Sequence, residues 1–533
     1  VITLERTEPF AACEYALDGL LADGCLADAK ELIETTLRRE DGGDIVVVAR
    51  LRLKLSTVLF ALGCPRQAVH EADVVAAAPN LPSSLYAAAQ QARLVGLLAD
   101  EDYAGARLSA TGILAGEDGM GDDAALDGAL AAMAFIAWSE GRIADALTMF
   151  RAAVERAGVD VQVVRPVHAQ LGYALALAAL GSFGESHRAI ARGEAAARLA
   201  GDTLWGCATD SARGRVHLAA GSLDDAVACA GAAYAAADRA GARAFQPNAL
   251  ATLATAALLQ GQVTEARAHL RRCPTGPAAP QMFGRSRWTW IDARVTGAEG
   301  SMAGAAEILA SVYACPTEHR GLLIEEPAAG AWLVRVALAA GARASAEAVA
   351  VCLEQLAMEN ASFPTVVAST RHARGVLDRD RDALAAAVRL HRQPWARGSA
   401  AEDAAVVLSE QGDVAEARSL LELALVSYRL GGAVRDTARV ERRRARLDTV
   451  RPGRRGRTGA RRPRPVSGWA SLTETEVRVA AVVAQGFTNA ETAGRVFMSR
   501  HTVDFHLRHI FRKLEIRSRV ELARLAPRDL HEL

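Results

Sequence analysis

Apolar residues along most of this chain fall at helical spacing and are interrupted by one recurring turn. The turn is a small or polar residue, then any residue, an apolar one, any residue, an acidic or small one, and alanine. It is clearest at Gly141-Arg-Ile-Ala-Asp-Ala146, Gly221-Ser-Leu-Asp-Asp-Ala226, Gly261-Gln-Val-Thr-Glu-Ala266 and Gly412-Asp-Val-Ala-Glu-Ala417. Weaker copies begin at Gly24, Gly63, Glu101, Gly181, Gly300, Gly341 and Asp378, with spacings of 34 to 41 residues. Each copy lies between two apolar stretches, as between Ala134-Phe-Ile-Ala-Trp138 and Leu147-Thr-Met-Phe150. The glycine suits the first position beyond a helix C-terminus, where a positive φ meets no Cβ clash, and the alanine suits a close contact on the next helix. Two helices per unit, stacked unit on unit, predict an α-solenoid over residues 1–438.

The pattern resembles tetratricopeptide repeats, stretched beyond their usual length of about 34 residues and mostly lacking that family's tryptophan and proline landmarks. A solenoid of this kind leaves a concave face for a protein or small-molecule effector. Trp288 and Trp290, with Arg285 and Arg287, are candidates to line it; packing between helices is the stronger expectation for aromatics in a chain with so few. Aromatic residues make up only 5% of the chain, which favours close-packed helices over sandwiches and an all-α fold throughout.

The last part of the chain carries a different pattern. Thr473 with Glu476, Thr488 with Glu491, and Ser518 with Glu521 are each spaced as a capping box, and Ser499 with Thr502 marks a further start. Four short helices are therefore predicted near 474–485, 489–496, 500–514 and 519–526. The second and third are joined by Phe497-Met498-Ser499, a turn of the length used in helix-turn-helix units. At 100° per residue, Val503, Leu507, Ile510 and Leu514 form one stripe to be buried. The other face carries His501, Asp504, Phe505, Arg508 and Arg512, a mixture that suits base edges in a major groove. Phosphates are expected at the capped helix starts, Thr488 and Ser499, and at Arg500, Arg512 and Lys513.

Leu472-Thr-Glu-Thr-Glu476, Gln485-Gly-Phe-Thr-Asn-Ala-Glu491, Ser499-Arg-His-Thr-Val-Asp-Phe-His-Leu507, Phe511-Arg-Lys-Leu514 and Arg517-Ser-Arg519 occur in this order. Together they resemble the LuxR-type helix-turn-helix over residues 468–533. The resemblance implies a DNA-binding transcriptional regulator whose third helix reads bases and whose fourth supports dimerisation. By that resemblance Asp504, Phe505 and Arg508 face bases, and Leu522 and Leu525 are candidates for the dimer seam. The expected DNA-contacting set is Thr488, Asn489, Ser499, Arg500, His501, Thr502, Asp504, Phe505, Arg508, Arg512 and Lys513. Many family members have a basic residue where this chain has Asp504, which either sharpens specificity or tilts away. His506 is expected to orient or to contact phosphate rather than to bind metal.

Charge agrees with that division. The chain is neutral overall, yet residues 439–533 hold 22 Lys+Arg against 10 Asp+Glu, leaving 40 and 52 for residues 1–438. A basic tail on an acidic body suits a tail that meets a polyanion. Residues 439–467, rich in arginine, proline and glycine, are expected to be a flexible linker, either adding phosphate attraction or serving as a solvated spacer. Eight scattered cysteines without a C-x-x-C pair suggest no zinc site or disulfide framework, and neither a signal peptide nor a membrane span is read. A cytoplasmic protein is expected.

The large LuxR regulators join an ATPase, helical repeats and this terminal domain, and the chain resembles their last two parts. No G-x-x-x-x-G-K-[ST] loop is present, so no nucleotide cofactor is expected. A start at Val1 fits an alternative start codon or a piece of a longer protein. Double-stranded DNA is the expected partner, with RNA polymerase and an effector on the repeats as further candidates. No nucleophile–base pair, carboxylate dyad or metal spacing points to an enzyme. An adaptor whose terminal domain serves association alone is the competing class.

Overall fold

The computed structural model describes residues 13, 15–21, 23–39, 44–116, 123–156, 167–199, 204–273, 285–449, 472, 474–496, 500–514 and 516–525. The chain divides into two compact units, Val1–Val450 and Arg451–Leu533. Every regular element among the described residues is a helix.

The first unit is a TPR-like solenoid of antiparallel helix pairs. Asp123–Ser139 pairs with Ile143–Arg156, Val167–Ala179 with Phe183–Leu199, Leu204–Ala220 with Leu223–Ala240, and Gln246–Gln260 with Val263–Arg272. The turn chemistry read from the sequence is what joins them. Gly141, Gly181, Gly221 and Gly261 have φ of 86°, 82°, 90° and 86°, and the amide of the next residue bonds back five residues, as Arg142 to Ala137 at 2.8 Å. This satisfies carbonyls that the helix end would otherwise leave open. The alanines that close the motif, Ala146, Ala226, Ala266 and Ala417, are all fully buried.

Two turns lack the glycine. Glu101 and Arg379 hold the left-handed position themselves, at φ 59° and 57°. The latter lies one residue beyond the Asp378 start read from the sequence. There the sizes are exchanged between helices: Leu384 fills the contact point and Gly375 makes room for it, since a Cβ on Gly375 would lie 2.6 Å from the leucine Cγ.

The solenoid coils tightly enough that repeats about five units apart touch. The amide of Ala244 bonds the carbonyl of Ala61 at 3.0 Å. The buried Asn360 side chain donates to the Gly141 carbonyl at 2.7 Å and accepts from the Ile143 amide at 3.2 Å, fastening a turn more than 200 residues away in sequence. The inner side is accordingly packed. Trp290 is fully buried and meets Trp332 edge-on with ring centroids 4.9 Å apart, while Arg287 is buried in an ion pair with Glu326 at 3.2 Å. Of the two tryptophans named from the sequence, Trp290 follows the helix-packing expectation, and the half-buried Trp288 packs against the same core.

The linker expectation began at residue 439, but helix Val434–Thr449 runs through its first part. Val440 is fully buried there, and Arg439 reaches Glu402 at 2.6 Å. The arginine run thus lies on an amphipathic helix that belongs to the repeats. The remainder of the expected linker, 450–467, lies outside the described residues.

The buried His372 and His391 and the half-buried His168 are expected to make this unit sensitive to acid. Burial holds His168 down to about 4 and His391 well below its ordinary value. For His372 burial outweighs the neighbouring Asp403 carboxylate, so its pKa is also lowered. Each is neutral when folded and gains its proton more readily when unfolded. Their contribution is therefore whole above pH ~6.5 and declines as pH falls toward ~4. The melting temperature is expected to drop between pH 7 and 4.5, with His168→Gln flattening the drop; a level wild-type profile would show that these rings reach solvent.

Candidate nucleic-acid interface

The second unit contains four short helices, Glu474–Ala484, Asn489–Val496, Arg500–Leu514 and Arg519–Leu525, within a residue or so of the sequence reading. They enclose a small core that includes Val479, Val483, Val496, Val503, Leu507, Ile510 and Leu522. Val503 and Ile510 are fully buried and Leu507 nearly so, while Leu514 packs at the edge of the cluster. The third helix is therefore held by its aliphatic stripe.

The start of the second helix is built as its residues predict. Gly486, at φ +94°, ends the first helix. The amide and hydroxyl of Thr488 each donate to the Glu491 carboxylate at 2.8 Å, and the Glu491 amide returns a bond to the Thr488 hydroxyl at 3.3 Å. Those donors, the Thr488 amide first, lower the Glu491 pKa. At the fourth helix the Ser518 hydroxyl accepts from the Glu521 amide at 3.2 Å, but the Glu521 carboxylate takes the amide of Arg517, at 3.0 Å, rather than that of Ser518. The caps expected at Thr473 and Ser499 lie outside the described residues.

On the outward side, Arg500, Arg508 and Arg512 are exposed, and Arg512 bonds His509 Nδ1 at 2.8 Å. The backbone places His501, Thr502 and Phe505 on the same helix, and their side chains lie outside what is described. Asp504 is half-buried, and its carboxylate receives the Asn489 side-chain amide from the second helix. Asn489 Oδ1 in turn accepts from Arg519 at 3.4 Å, and the same guanidinium nitrogen donates to the Phe487 carbonyl at 2.7 Å. Asp504 and Asn489, both expected on DNA, bond each other between the third and second helices. Bonding of this kind is how a carboxylate remains beside a basic face.

Two further expected residues have partners inside the domain. Lys513, expected on phosphate, pairs at 2.6 Å with Glu476, a carboxylate only 5% exposed. Leu522, expected at a dimer seam, is fully buried in the domain's own core, and a side chain already removed from water offers nothing to a partner. Among the described side chains of that helix the large exposed apolar one is Val520, 58% exposed; the Leu525 side chain lies outside what is described. Arg519 belongs to the Arg517-Ser-Arg519 block read from the sequence, which assigns it no role, because its bonds to Phe487 and Asn489 span about 30 residues and leave no local periodic signal. His506 is half-buried, and burial lowers its pKa. Among the described residues no group of three or more His, Cys, Asp or Glu is placed to hold a metal.

Residues 470–526 match the family model of the LuxR family of bacterial regulatory proteins, and this terminal unit is a LuxR-type helix-turn-helix domain. A Mycobacterium tuberculosis protein named as an HTH-type transcriptional regulator is 42% identical over 81 residues, 15% of this chain and 9% of the relative. A Haemophilus influenzae nitrate/nitrite response regulator homolog is 42% identical over 50 residues, 9% of this chain and 24% of that protein. The similarity therefore spans a small part of these relatives' length. Among solved structures, the Cut9–Hcn1 hetero-tetramer of the APC/C aligns with 79% of this chain and 80% of that one, at 15% identity and a TM-score of 0.46.

Proposed function

We propose that this chain is a sequence-specific DNA-binding transcriptional regulator, whose terminal domain reads the major groove with the outward side of helix Arg500–Leu514. The helical repeats form its signal-receiving or protein-interaction region. The observation that carries this reading is the division of that one helix: Val503, Leu507 and Ile510 anchor it inside, leaving Arg500, Arg508 and Arg512 exposed. A helix anchored in this way presents its polar side to base edges without losing its fold.

Within this reading, Arg508 reads a base and Arg500 and Arg512 take phosphates. Asp504 and Asn489 set the angle between the second and third helices. The chain acts in the cytoplasm, with RNA polymerase as its partner at the promoter. It binds as a dimer to two half-sites roughly 10 bp apart, and the exposed Val520 on the fourth helix supplies an apolar contact for that pairing.

Selection of bound sequences from a random DNA pool supplies the site on which to test the reading. Replacing Arg508 by alanine is expected to cost about 1–3 kcal/mol on that site and to relax preference at one base pair, with little further loss on random DNA. An equal loss on both DNAs would remove Arg508 from the base-reading set. Failure of the wild-type chain to give a competitor-resistant, salt-sensitive shift would overturn the regulator reading itself.

A further inference from the structure

Within the repeats, helices remote in sequence surround a chamber of about 150 Å³ lined by Arg294, Arg435, Trp395 and Trp332. A smaller one of about 50 Å³ adjoins it and shares Arg294, Trp395 and Leu259. Together their walls hold seven arginines and five carboxylates. The carboxylates are all engaged. Glu325 pairs with Arg215 and Glu326 with Arg287; Asp403 takes Arg335 and His372; Glu402 and Asp436 both take Arg439.

Positive charge is left over. Arg294 is only 7% exposed, yet it makes no hydrogen bond or ion pair among the described residues; its guanidinium lies over the Trp395 ring, 4.3 Å from the centroid, and 5.4 Å from that of Trp290. Arg435, half-buried on the facing helix, likewise has no ion pair among the described residues. The Nη1 of Arg287, which lines the smaller chamber, is buried with no partner. Burial lowers the pKa of Arg294; attraction to Glu326 and Asp436, neither of them bonded to it, works against that shift, and repulsion from Arg435 adds to it. Stacking on tryptophan offsets part of the cost of burying a guanidinium but supplies no counter-charge. The larger chamber has room for several heavy atoms rather than a single water.

We propose that this chamber binds a small ligand bearing an oxyanion, a carboxylate or a phosphate ester, received by Arg294 and Arg435 and lying against Trp395 and Trp332. Planar, forked donors match such groups bidentately. The assignment rests on reading the repeats as the signal-receiving part, and it names the chemical class of the signal.

The test uses the full chain, with inorganic phosphate, succinate and benzoate as probes and chloride at equal ionic strength as the control. At least one oxyanion is expected to raise the melting temperature saturably where chloride does not, and the phosphate and carboxylate arms separate the two sources. Arg294→Met should abolish that rise and, by removing an uncompensated charge, should raise the melting temperature of the unliganded chain. Arg435→Gln should weaken binding about tenfold. Both variants keep the basic terminal domain, so phosphate bound there cancels in the comparison. The assignment falls if no probe exceeds chloride, or if Arg294→Met lowers stability equally with and without anion. A ligand that stabilises wild type but not Arg294→Met, and leaves DNA affinity unchanged, supports the chamber while overturning the signal-receiving reading.

Discussion

Replacing Ile510 by alanine is expected to abolish DNA binding while leaving the melting of the helical repeats unchanged. Ile510 is fully buried on the inner stripe of the third helix, in a core built from a handful of aliphatic side chains. Removing three carbons from a packed site costs about 2–5 kcal/mol through lost transfer energy and the cavity left behind. A core in a domain of this size rarely supplies more than about 3–5 kcal/mol in total, so one such change removes most of the margin. The repeats form a separate compact unit with its own cores, and their transition should keep its midpoint. Calorimetry of the full chain resolves the two events, and a gel shift reports function. Arg508→Ala provides the contrast: the domain stays folded and only recognition suffers. Wild-type DNA affinity in Ile510→Ala, with the domain's transition unmoved, would show that the third helix does not depend on this stripe.

What the chain discloses in advance is what is local. The Thr488–Glu491 cap, the stripe from Val503 to Ile510, and the glycine turns of the repeats all rest on partners within a few residues, and spacing suffices to find them. Periodicity also shows that a side chain is buried, but not what buries it. Leu522 has the inward phase expected of a seam or of a core, and only the packed domain decides for the core. The same limit applies to Lys513 and Asp504, whose partners, Glu476 and the Asn489 amide, lie 37 and 15 residues away. The limit is greatest in the repeats. Asn360 on the turn at Gly141, and Trp395 beneath Arg294, meet only because the solenoid closes on itself, a property of accumulated small rotations between repeats rather than of any one motif. The leftover cation of the chamber is invisible for that reason, since it emerges only once every carboxylate has been assigned a partner.

Glu402→Leu is expected to lower the stability of the repeats by about 3–5 kcal/mol, the range typical of removing one partner from a buried ionic cluster. The Glu402 carboxylate is 5% exposed. It accepts the Tyr428 hydroxyl at 3.0 Å, Arg439 Nε and Nη2 at 2.8 and 2.6 Å, and Arg443 Nε at 2.9 Å. Without it the Tyr428 hydroxyl, buried almost completely, loses its acceptor, and Arg439 keeps Asp436 and a bond to the Tyr428 oxygen at 3.4 Å. The exposed pair of Arg381 and Glu416 is the control: Glu416→Ala should cost no more than about 1 kcal/mol, because water replaces what is lost. Adding Arg439→Met to Glu402→Leu should deepen the loss, since it strands the buried Asp436 carboxylate with the Trp395 indole N–H, at 2.9 Å, in place of its ion pair. Denaturant midpoints at constant m-value measure all four chains. A loss in Glu402→Leu no larger than that of the surface control would mean that water already reaches these arginines. The uncompensated charge of Arg294 beside them would then be solvated too, and the chamber would have no call for an anion.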